Sequence, residues 1–410
     1  MSFNKKTIRD IDVKGKNILI RVDYNVPLKD GQVESDLRLR ATLPTLNYLL
    51  DHGAKKLILM SHLGRPDGQY VPELSLKPVA DALATLLPDS PVRFINWVYG
   101  ENVQNAVDTL PDGGILLLEN LRYVPEEEEN SMFLAKNLAE DSRADFFVED
   151  GFAVVHRAHA STEAITHFLP SVAGFLLEKE VNSLTGAIEN PKRPLLAIIG
   201  GAKVADKEPL IAKFADIADQ VAIGGKIATD YISDNPKIYV SEDFAHDSNG
   251  AALDIGPKST AKIEKFINDA ETVIWNGVLG KSEELRFALS SKIIAEALGR
   301  AHNKTTIIGG GDTAGFIEEY EAKNPNLEYT LISTGGGASL ELLLGKPLPG
   351  IEALENKDPA LAKPAFARLD LPLSTPIKPI KLPASKPASR FADFFHRPKP
   401  QSKFAEFFKK

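Results

Sequence analysis

Residues 195–207 have the sequence LLAIIGGAKVADK. The apolar run Leu195–Ile199 predicts a buried strand, and the two glycines after it lead into a segment that opens a helix. A strand, a short turn and a helix form the repeating unit of parallel α/β folds. This stretch therefore predicts an α/β protein.

The same unit recurs along most of the chain, because short β-branched runs alternate with segments of helical period. The predicted strands are Asn17–Val22, Lys56–Ser61, Val92–Ile95, Gly114–Glu119, Asp145–Val148, Leu195–Ile199, Gln220–Ile223, Thr272–Trp275, Thr305–Ile308 and Tyr329–Ser333. The predicted helices include Leu37–Leu50, Leu76–Leu87, Ser131–Leu138 and Ala173–Glu189. This alternation predicts parallel sheets with helices on both faces.

Prolines and a change in composition divide the chain. Pro191 and Pro194 end the helix Ala173–Glu189, and a second boundary lies near Pro349 and Gly350. We expect a first lobe over 1–172, an interdomain helix over 173–190, a second lobe over 191–340, a C-terminal segment over 341–354 and a tail over 355–410.

Charge and composition exclude several classes of protein. Residues 357–410 hold 12 Lys and Arg against 4 Asp and Glu, whereas the rest of the chain holds 36 against 52. Such an acidic body repels nucleic acid and anionic membranes. The chain has no cysteine, signal peptide or long apolar run. We therefore expect a cytoplasmic monomer that binds no nucleic acid and has no transmembrane segment.

The Pro- and Lys-rich composition of the tail predicts a basic, disordered segment. It contains a repeat, because the SRFADFF of residues 389–395 returns as the SKFAEFF of residues 402–408. Two copies of an aromatic motif flanked by basic residues suggest a docking segment for an unknown partner. A tail that docks on its own domain, or has no role, is the alternative.

Basic residues follow several predicted strands of the first lobe, at the sheet edge where α/β proteins bind ligands. Arginine forks match phosphate and carboxylate oxygens, and Asn or His can complete the shell. The candidate residues for an anion site are Asp23, Asn25, Arg38, His62, Arg65, Arg122 and Arg157.

The second lobe has glycines in the same places, which lets backbone amides approach phosphate at a helix N-terminus. Lys203 and Lys207 lie four residues apart at one helix start, where two cations favour an anion between them. Asp312 follows three glycines and is a candidate either for a magnesium ligand or for an N-cap. The G-x-G-x-x-A match over Gly309–Ala314 leaves an NAD-dependent dehydrogenase as an alternative function.

Taken together, these stretches resemble the phosphoglycerate kinase family from Arg21 to about Gly350. The matching motifs, in the family's order, are RVDYNVPLKDG, SHLGRPDG, LLLENLRY, HRAHAST, GGAKVADK, LDIGP, WNG, IGGGDTA and STGGGASLELLLGKPLPG. The resemblance implies two Rossmann-like lobes joined by a hinge helix. It also implies reversible phosphoryl transfer between 1,3-bisphosphoglycerate and ADP-Mg, with 3-phosphoglycerate and ATP on the other side.

The resemblance assigns roles to matching positions. The seven anion-site residues correspond to those that hold phosphoglycerate, and Arg38 and Lys203 to those that steady the transferring group. Asp312 matches the aspartate near Mg²⁺. The matches on the nucleotide side are Lys207, Glu283, Gly310, Gly311, Asp312 and Thr313.

The chain also departs from the family. After Gly224 and Gly225 it lacks a helix with its connections. Val278 replaces a proline, and Glu149 stands where the family usually has asparagine. Most changes surround the adenosine site, so we expect altered nucleotide affinity or base selectivity. A degenerate kinase kept as a binding or scaffold protein is a further alternative.

Overall fold

The structure of the protein is a computed structural model that describes residues 3–358. The predicted tail of residues 355–410 lies outside the described residues from residue 359 onward, and so does its aromatic repeat. Among residues 3–358, no helix combines the length and the hydrophobicity that a membrane span requires.

Strands and helices alternate through the described residues. The strands are β1 (Asn17–Arg21), β2 (Leu28–Lys29), β3 (Gln32–Val33), β4 (Lys56–Met60), β5 (Val92–Phe94), β6 (Gly114–Leu117), β7 (Phe146–Glu149), β8 (Ser171–Ala173), β9 (Leu195–Ile199), β10 (Gln220–Ile223), β11 (Ile238–Val240), β12 (Phe244–His246), β13 (Ala252–Ile255), β14 (Thr272–Asn276), β15 (Thr305–Gly309) and β16 (Leu331–Ile332). The α-helices are α1 (Leu37–Asp51), α2 (Lys77–Leu86), α3 (Glu101–Asp108), α4 (Met132–Asp141), α5 (Phe175–Glu189), α6 (Val204–Ile217), α7 (Pro257–Asp269), α8 (Leu289–Gly299), α9 (Gly311–Lys323), α10 (Gly337–Leu343) and α11 (Pro349–Glu352).

Two six-stranded sheets form the two lobes. The strand order is β5-β6-β4-β1-β7-β8 in the first sheet and β11-β10-β9-β14-β15-β16 in the second. Neighbouring strands are parallel throughout both sheets. The prediction of two α/β lobes with parallel sheets is therefore confirmed.

The central strands explain why the sequence contains unbroken apolar runs. Every residue of β4, β9 and β14 is buried, because helices cover both faces of each sheet. Each lobe has a hydrophobic cluster of its own. A further cluster runs from Leu19 in the first lobe through Leu184 of α5 to Ile199 in the second.

Helix α5 connects the lobes. Its first turn receives an N-terminal cap from the first sheet, because the Leu176 and Leu177 amides both donate to Asp150 Oδ1 at 2.9 and 3.3 Å. The helix then packs against α1 and α10. It therefore contacts elements of both lobes before the chain enters β9.

The chain returns to the first lobe after α10. The Gly350 amide donates to the Val155 carbonyl at 2.9 Å, and the Lys6 amide donates to Glu355 O at 2.8 Å. The Lys357 amide donates to Asn4 O at 2.9 Å. Residues 355–357 are thus bonded to the N-terminal segment rather than lying apart from the folded body.

The second lobe lacks an α-helix after Gly224 and Gly225, where the sequence indicates that a helix is missing. Residues 224–237 connect the parallel strands β10 and β11, a crossover that ordinarily contains an α-helix. Here it contains only the 3-10 helix Lys226–Thr229, and Ile232 beyond that helix is 91% exposed. The strands β2, β3, β8, β11, β12 and β13 were not predicted, because strands of two to four residues give too little periodicity.

Glycines bring the ends of β9 and β14 into backbone contact. The Gly200 amide donates to Asn276 O, and the Gly201 amide donates to Val278 O, each at 3.0 Å. A Cβ on Gly277 would lie 2.3 Å from Gly200 O, and Gly277 has a φ of +99°. The two turns can approach so closely only without side chains.

We expect Gly277→Ala to destabilise the fold by about 2–4 kcal/mol, because the new methyl group must displace the backbone of the facing turn. Gly186→Ala is the matched control, since Gly186 lies within α5 and a Cβ there meets nothing within 4 Å. The control should gain about 0.5–1 kcal/mol. Denaturant unfolding measures both, and similar effects of the two substitutions would contradict the close contact.

Candidate functional site

All seven residues predicted for the anion site line one cavity of about 440 Å³. The predicted lining residues are Asp23, Asn25, Arg38, His62, Arg65, Arg122 and Arg157. The other lining residues are Gly64, Ala153, Val154, His156, His159, Thr334, Gly335, Gly336 and Gly337. Because the last four follow β16, the cavity is bounded by both lobes.

The loops after β1 and β4 support each other at this cavity. The Asp23 carboxylate accepts the Asn25 amide at 3.1 Å, which forms a tight local turn. The Asn25 side chain in turn accepts the Gly64 amide at 2.8 Å. The Arg38 guanidinium donates to Asp23 and to the Thr334 carbonyl. These bonds fix the positions of the polar groups before any ligand arrives.

The cavity has an excess of positive charge. Arg38 is paired with Asp23, and Arg122 is paired with Glu128 at 3.1 Å. Arg65 and Arg157 are exposed and have no carboxylate partner within residues 3–358. Unpaired guanidinium groups facing a shared space favour a small anion such as a phosphate or carboxylate.

The cavity histidines are uncharged at neutral pH. Burial, aided by Arg21, Arg122 and Arg38, lowers the pKa of His62 well below its ordinary value. Burial and the same cationic surroundings lower the pKa of His159 to about 3. Both imidazoles therefore act as neutral hydrogen-bonding groups here rather than as additional cations.

Sequence reasoning did not select His156, His159 or the residues from Thr334 to Gly337. The histidines belong to the HRAHAST motif, and the others to STGGGAS. Their position directly after a strand was the available signal. That signal could not show that the two lobes face each other at this cavity.

A second group of predicted residues meets around Asn276, at the end of β14. The Lys207 ammonium donates to Asn276 Oδ1 at 2.5 Å. The Gly277 amide donates to the buried Thr313 hydroxyl at 2.8 Å. A Cβ on Gly310 would lie 3.4 Å from Asn276 Oδ1. Asn276 was not predicted, although it is part of the WNG motif.

The expectation that Gly200 and Gly201 offer amides to phosphate is wrong. Both amides are bonded to backbone carbonyls of the β14 turn. The glycines at this position serve backbone packing instead. At α9 the situation differs, because the first amides of a helix have no acceptor within it. Gly311, Asp312 and Thr313 form that first turn.

Three predicted residues lie outside these contacts. Lys203 and Glu283 are exposed and line neither of the cavities that contain Arg38. Asp312 is exposed in the first turn of α9. Burial lowers the pKa of Lys207, and Asp312 partly opposes that effect. No cluster of three or more metal-ligating side chains occurs within residues 3–358. One carboxylate still fits Mg²⁺ bound chiefly by nucleotide phosphates.

Arg38 connects the two groups of residues. It lines a second cavity of about 200 Å³, which is bounded on the other lobe by Gly311, Ala314 and Glu318 of α9. The N-terminus of α9 therefore faces the arginine that also borders the anion cavity. An anion extending from one cavity to the other would meet the Arg38 guanidinium and the positive end of the α9 dipole.

Comparisons with known proteins agree with this arrangement. The sequence model of the family described as phosphoglycerate kinase matches residues 8–236 and 228–346. The two matched stretches meet where the second lobe is shortened. The chain is similar to the solved phosphoglycerate kinase from Coxiella burnetii, with 32% identity and a TM-score of 0.69, over 85% of this chain and 98% of that one.

It is also similar to the phosphoglycerate kinase from Pyrococcus horikoshii OT3, with 28% identity and a TM-score of 0.75 over the same shares of the two chains. Nothing in these matches favours a dehydrogenase. The family match covers most of the described residues and includes both lobes. The chain therefore belongs to the phosphoglycerate kinase family.

Proposed function

We propose that the chain transfers a phosphoryl group reversibly between 1,3-bisphosphoglycerate and ADP-Mg, and that it retains catalytic competence. One observation carries this proposal: Arg38 borders both the anion cavity and the space in front of α9. A transferring phosphoryl group must be held between donor and acceptor, where positive charge stabilises its equatorial oxygens.

The first lobe would hold 3-phosphoglycerate. Arg65 and Arg157 are the cations without carboxylate partners among the described residues, so they suit the phosphate or carboxylate oxygens. Arg122, His62 and Asn25 complete the lining with directed donors. The cavity volume of about 440 Å³ accommodates a three-carbon phosphate with part of the nucleotide triphosphate chain.

The second lobe would hold the nucleotide. Lys207 and the first-turn amides of Gly311 and Thr313 suit its phosphates, and Gly310 permits their close approach. Lys203 lies exposed at the start of α6 and would reach the transferring group. Glu283 would contact the ribose.

Asp312 would hold the Mg²⁺ that accompanies the nucleotide, which would neutralise charge on the β- and γ-phosphates. Attack by the 3-phosphoglycerate carboxylate oxygen on the γ-phosphorus forms one P–O bond. The bond between that phosphorus and the bridging oxygen breaks, and ADP leaves. The acceptor carboxylate is already ionised at neutral pH, so no general base is required.

Arg38→Ala and Lys203→Ala should each lower kcat by at least about a hundredfold, because each removes positive charge from the transition state. A coupled assay with ATP, Mg²⁺ and 3-phosphoglycerate measures turnover. Arg40→Ala is the matched control on the same helix, since Arg40 is exposed and paired with Asp36. It should remain within about threefold of the parent, a barrier change of about 0.7 kcal/mol.

Full turnover in both active-site variants would contradict the assigned roles. A parent protein that binds 3-phosphoglycerate and ATP without turning them over would support the alternative, a binding or scaffold protein derived from a kinase.

The reduced second lobe leads to a separate prediction. Only a 3-10 helix covers the connection after β10, and Glu283 is exposed, so the walls around the base and ribose are sparse. We expect ADP and GDP to bind with affinities within about tenfold of each other, because few directed contacts can discriminate the bases. Calorimetric titration tests this, and strong rejection of GDP with tight ADP binding would contradict it.

The tail should be dispensable for catalysis, because no residue of either cavity lies beyond Gly337. A chain ending at Asp358 should keep kcat within about threefold of the full chain. The cut belongs after Asp358 rather than after Leu354, since residues 355–357 are bonded to the N-terminal segment. A large loss of activity on removal of 359–410 would show that the tail takes part in the catalytic fold.

A further inference from the structure

An arginine and a glutamate are buried on neighbouring strands beneath the anion cavity. Arg21 and Glu149 are register partners at the carboxyl ends of β1 and β7. Both residues are 0% exposed. A buried guanidinium and a buried carboxyl in adjacent positions would ordinarily be bonded to each other as an ion pair.

The hydrogen bonds of Arg21 go elsewhere. Its Nη2 lies 3.1 Å from His62 Nδ1, and its nearest carboxylate atom is Glu127 Oε1 at 4.0 Å. Its Nε and Nη1 have no hydrogen-bond partner among the described residues. Arginine has donors only, so His62 Nδ1 accepts and the ring proton is on Nε2. Arg21 thereby fixes the tautomer of a cavity-lining histidine.

Glu149 likewise makes no hydrogen bond with Arg21. Its Oε1 accepts the Gly151 amide at 2.9 Å, and its Oε2 has no partner within the described part of the chain. An ionised oxygen buried without a donor is much more costly than a neutral carboxyl group in the same place. Arg21 on the neighbouring strand has open donors, yet none of them bonds to Glu149.

Arg21 is the cation that acts on both Glu127 and Glu149. Glu127 has the better environment for an anion, since it accepts Ser161 N at 3.1 Å and Ser161 Oγ at 2.6 Å. His159 lies 3.8 Å from Glu127 and is neutral. Asp150 and Glu127 both oppose a charge on Glu149, whereas Arg21 favours it.

We propose that Glu149 is a positioning residue that is held as the neutral acid, and that its neutrality leaves Arg21 bonded to His62. The side chain then resembles the uncharged asparagine that is usual at this position in the family. Ionisation of Glu149 would draw the guanidinium toward β7 and release His62 Nδ1. The cavity would lose a histidine with a fixed Nε2 donor.

Burial raises the pKa of Glu149 well above its ordinary value, with Arg21 opposing that effect. A carboxyl whose pKa is higher in the folded protein binds an extra proton there between the unfolded and folded pKa values. The free energy of unfolding therefore falls as the pH rises through that interval. An ion-paired Glu149 would have the opposite effect, since its folded pKa would lie below the unfolded one.

The experiment compares the full chain with its Glu149→Gln and Glu149→Asn variants in thermal unfolding between pH 5 and pH 8.5. The melting temperature of each variant relative to the parent should rise by at least about 2 °C across this range, because only the parent loses stability through Glu149. Asp150 and Glu180 have pKa values raised by burial to about 7, but both groups are present in every chain compared. The control is Glu101→Gln, an exposed carboxylate of the same lobe.

The melting temperature of the control should differ from that of the parent by the same amount at every pH. A difference in melting temperature that stays constant or shrinks for both Glu149 variants would overturn the proposal that Glu149 is neutral. Because two amides of different length are compared, failure of one variant to fold leaves the other as the test.

A second readout tests the positioning role and rests on the proposed function. The KM for 3-phosphoglycerate of the parent, relative to that of Glu149→Gln, should rise by at least about threefold once the pH passes the value at which the thermal difference stops widening, with the kcat ratio unchanged. A KM ratio that stays flat beyond that pH would overturn positioning. If the parent has no turnover, the proposed function fails, and calorimetric binding of 3-phosphoglycerate at the same pH values replaces KM.

Discussion

One guanidinium joins the two halves of the site. Arg38 is paired with Asp23 of the first lobe, and it donates to the Thr334 carbonyl of the second at 3.2 Å. The amide and hydroxyl of Thr334 both donate to Glu180 of α5, at 2.8 and 3.1 Å. Helix α5, the first lobe and the loop after β16 therefore share one hydrogen-bonded chain. A change in the position of either lobe must alter the environment of Arg38.

The site gathers several arginines, and nearby carboxylates and neutral histidines limit the repulsion between them. Desolvation lowers the pKa of Arg38 and of Arg122, yet both lie beside carboxylates that favour their charged forms. His62 and His159 stay neutral, so they add donors and no charge. The remaining cations, with Arg65 among them, are left for the ligand. The result is a cavity that attracts anions and still folds.

The second lobe combines a close backbone contact between two turns with a shortened connection. The turns after β9 and β14 are in backbone contact, and that contact involves Gly200, Gly277 and Val278. The shortened stretch lies after β10, on the other side of the central strands. A crossover helix can be lost there because β9 and β14 keep their register and every residue of both remains buried. The loops after β9 and β14 and the connection after β10 can thus change independently.

The sequence alone determined the fold class and seven of the residues that line the anion cavity, because apolar periodicity reflects burial and ligand-binding residues follow strand ends. The other lining residues, among them His156, His159 and Thr334, were not selected. Only the tertiary structure decided which groups meet. Asn276 contacts Lys207 across 69 positions of sequence, and the amides of Gly200 and Gly201 are consumed by a distant turn. Such contacts depend on strand order and on the packing of the lobes, and a local pattern of residues contains neither. The neutral form proposed for Glu149 likewise follows from its burial, which outweighs the opposite effect of Arg21, since an exposed glutamate with the same neighbours in sequence would be ionised.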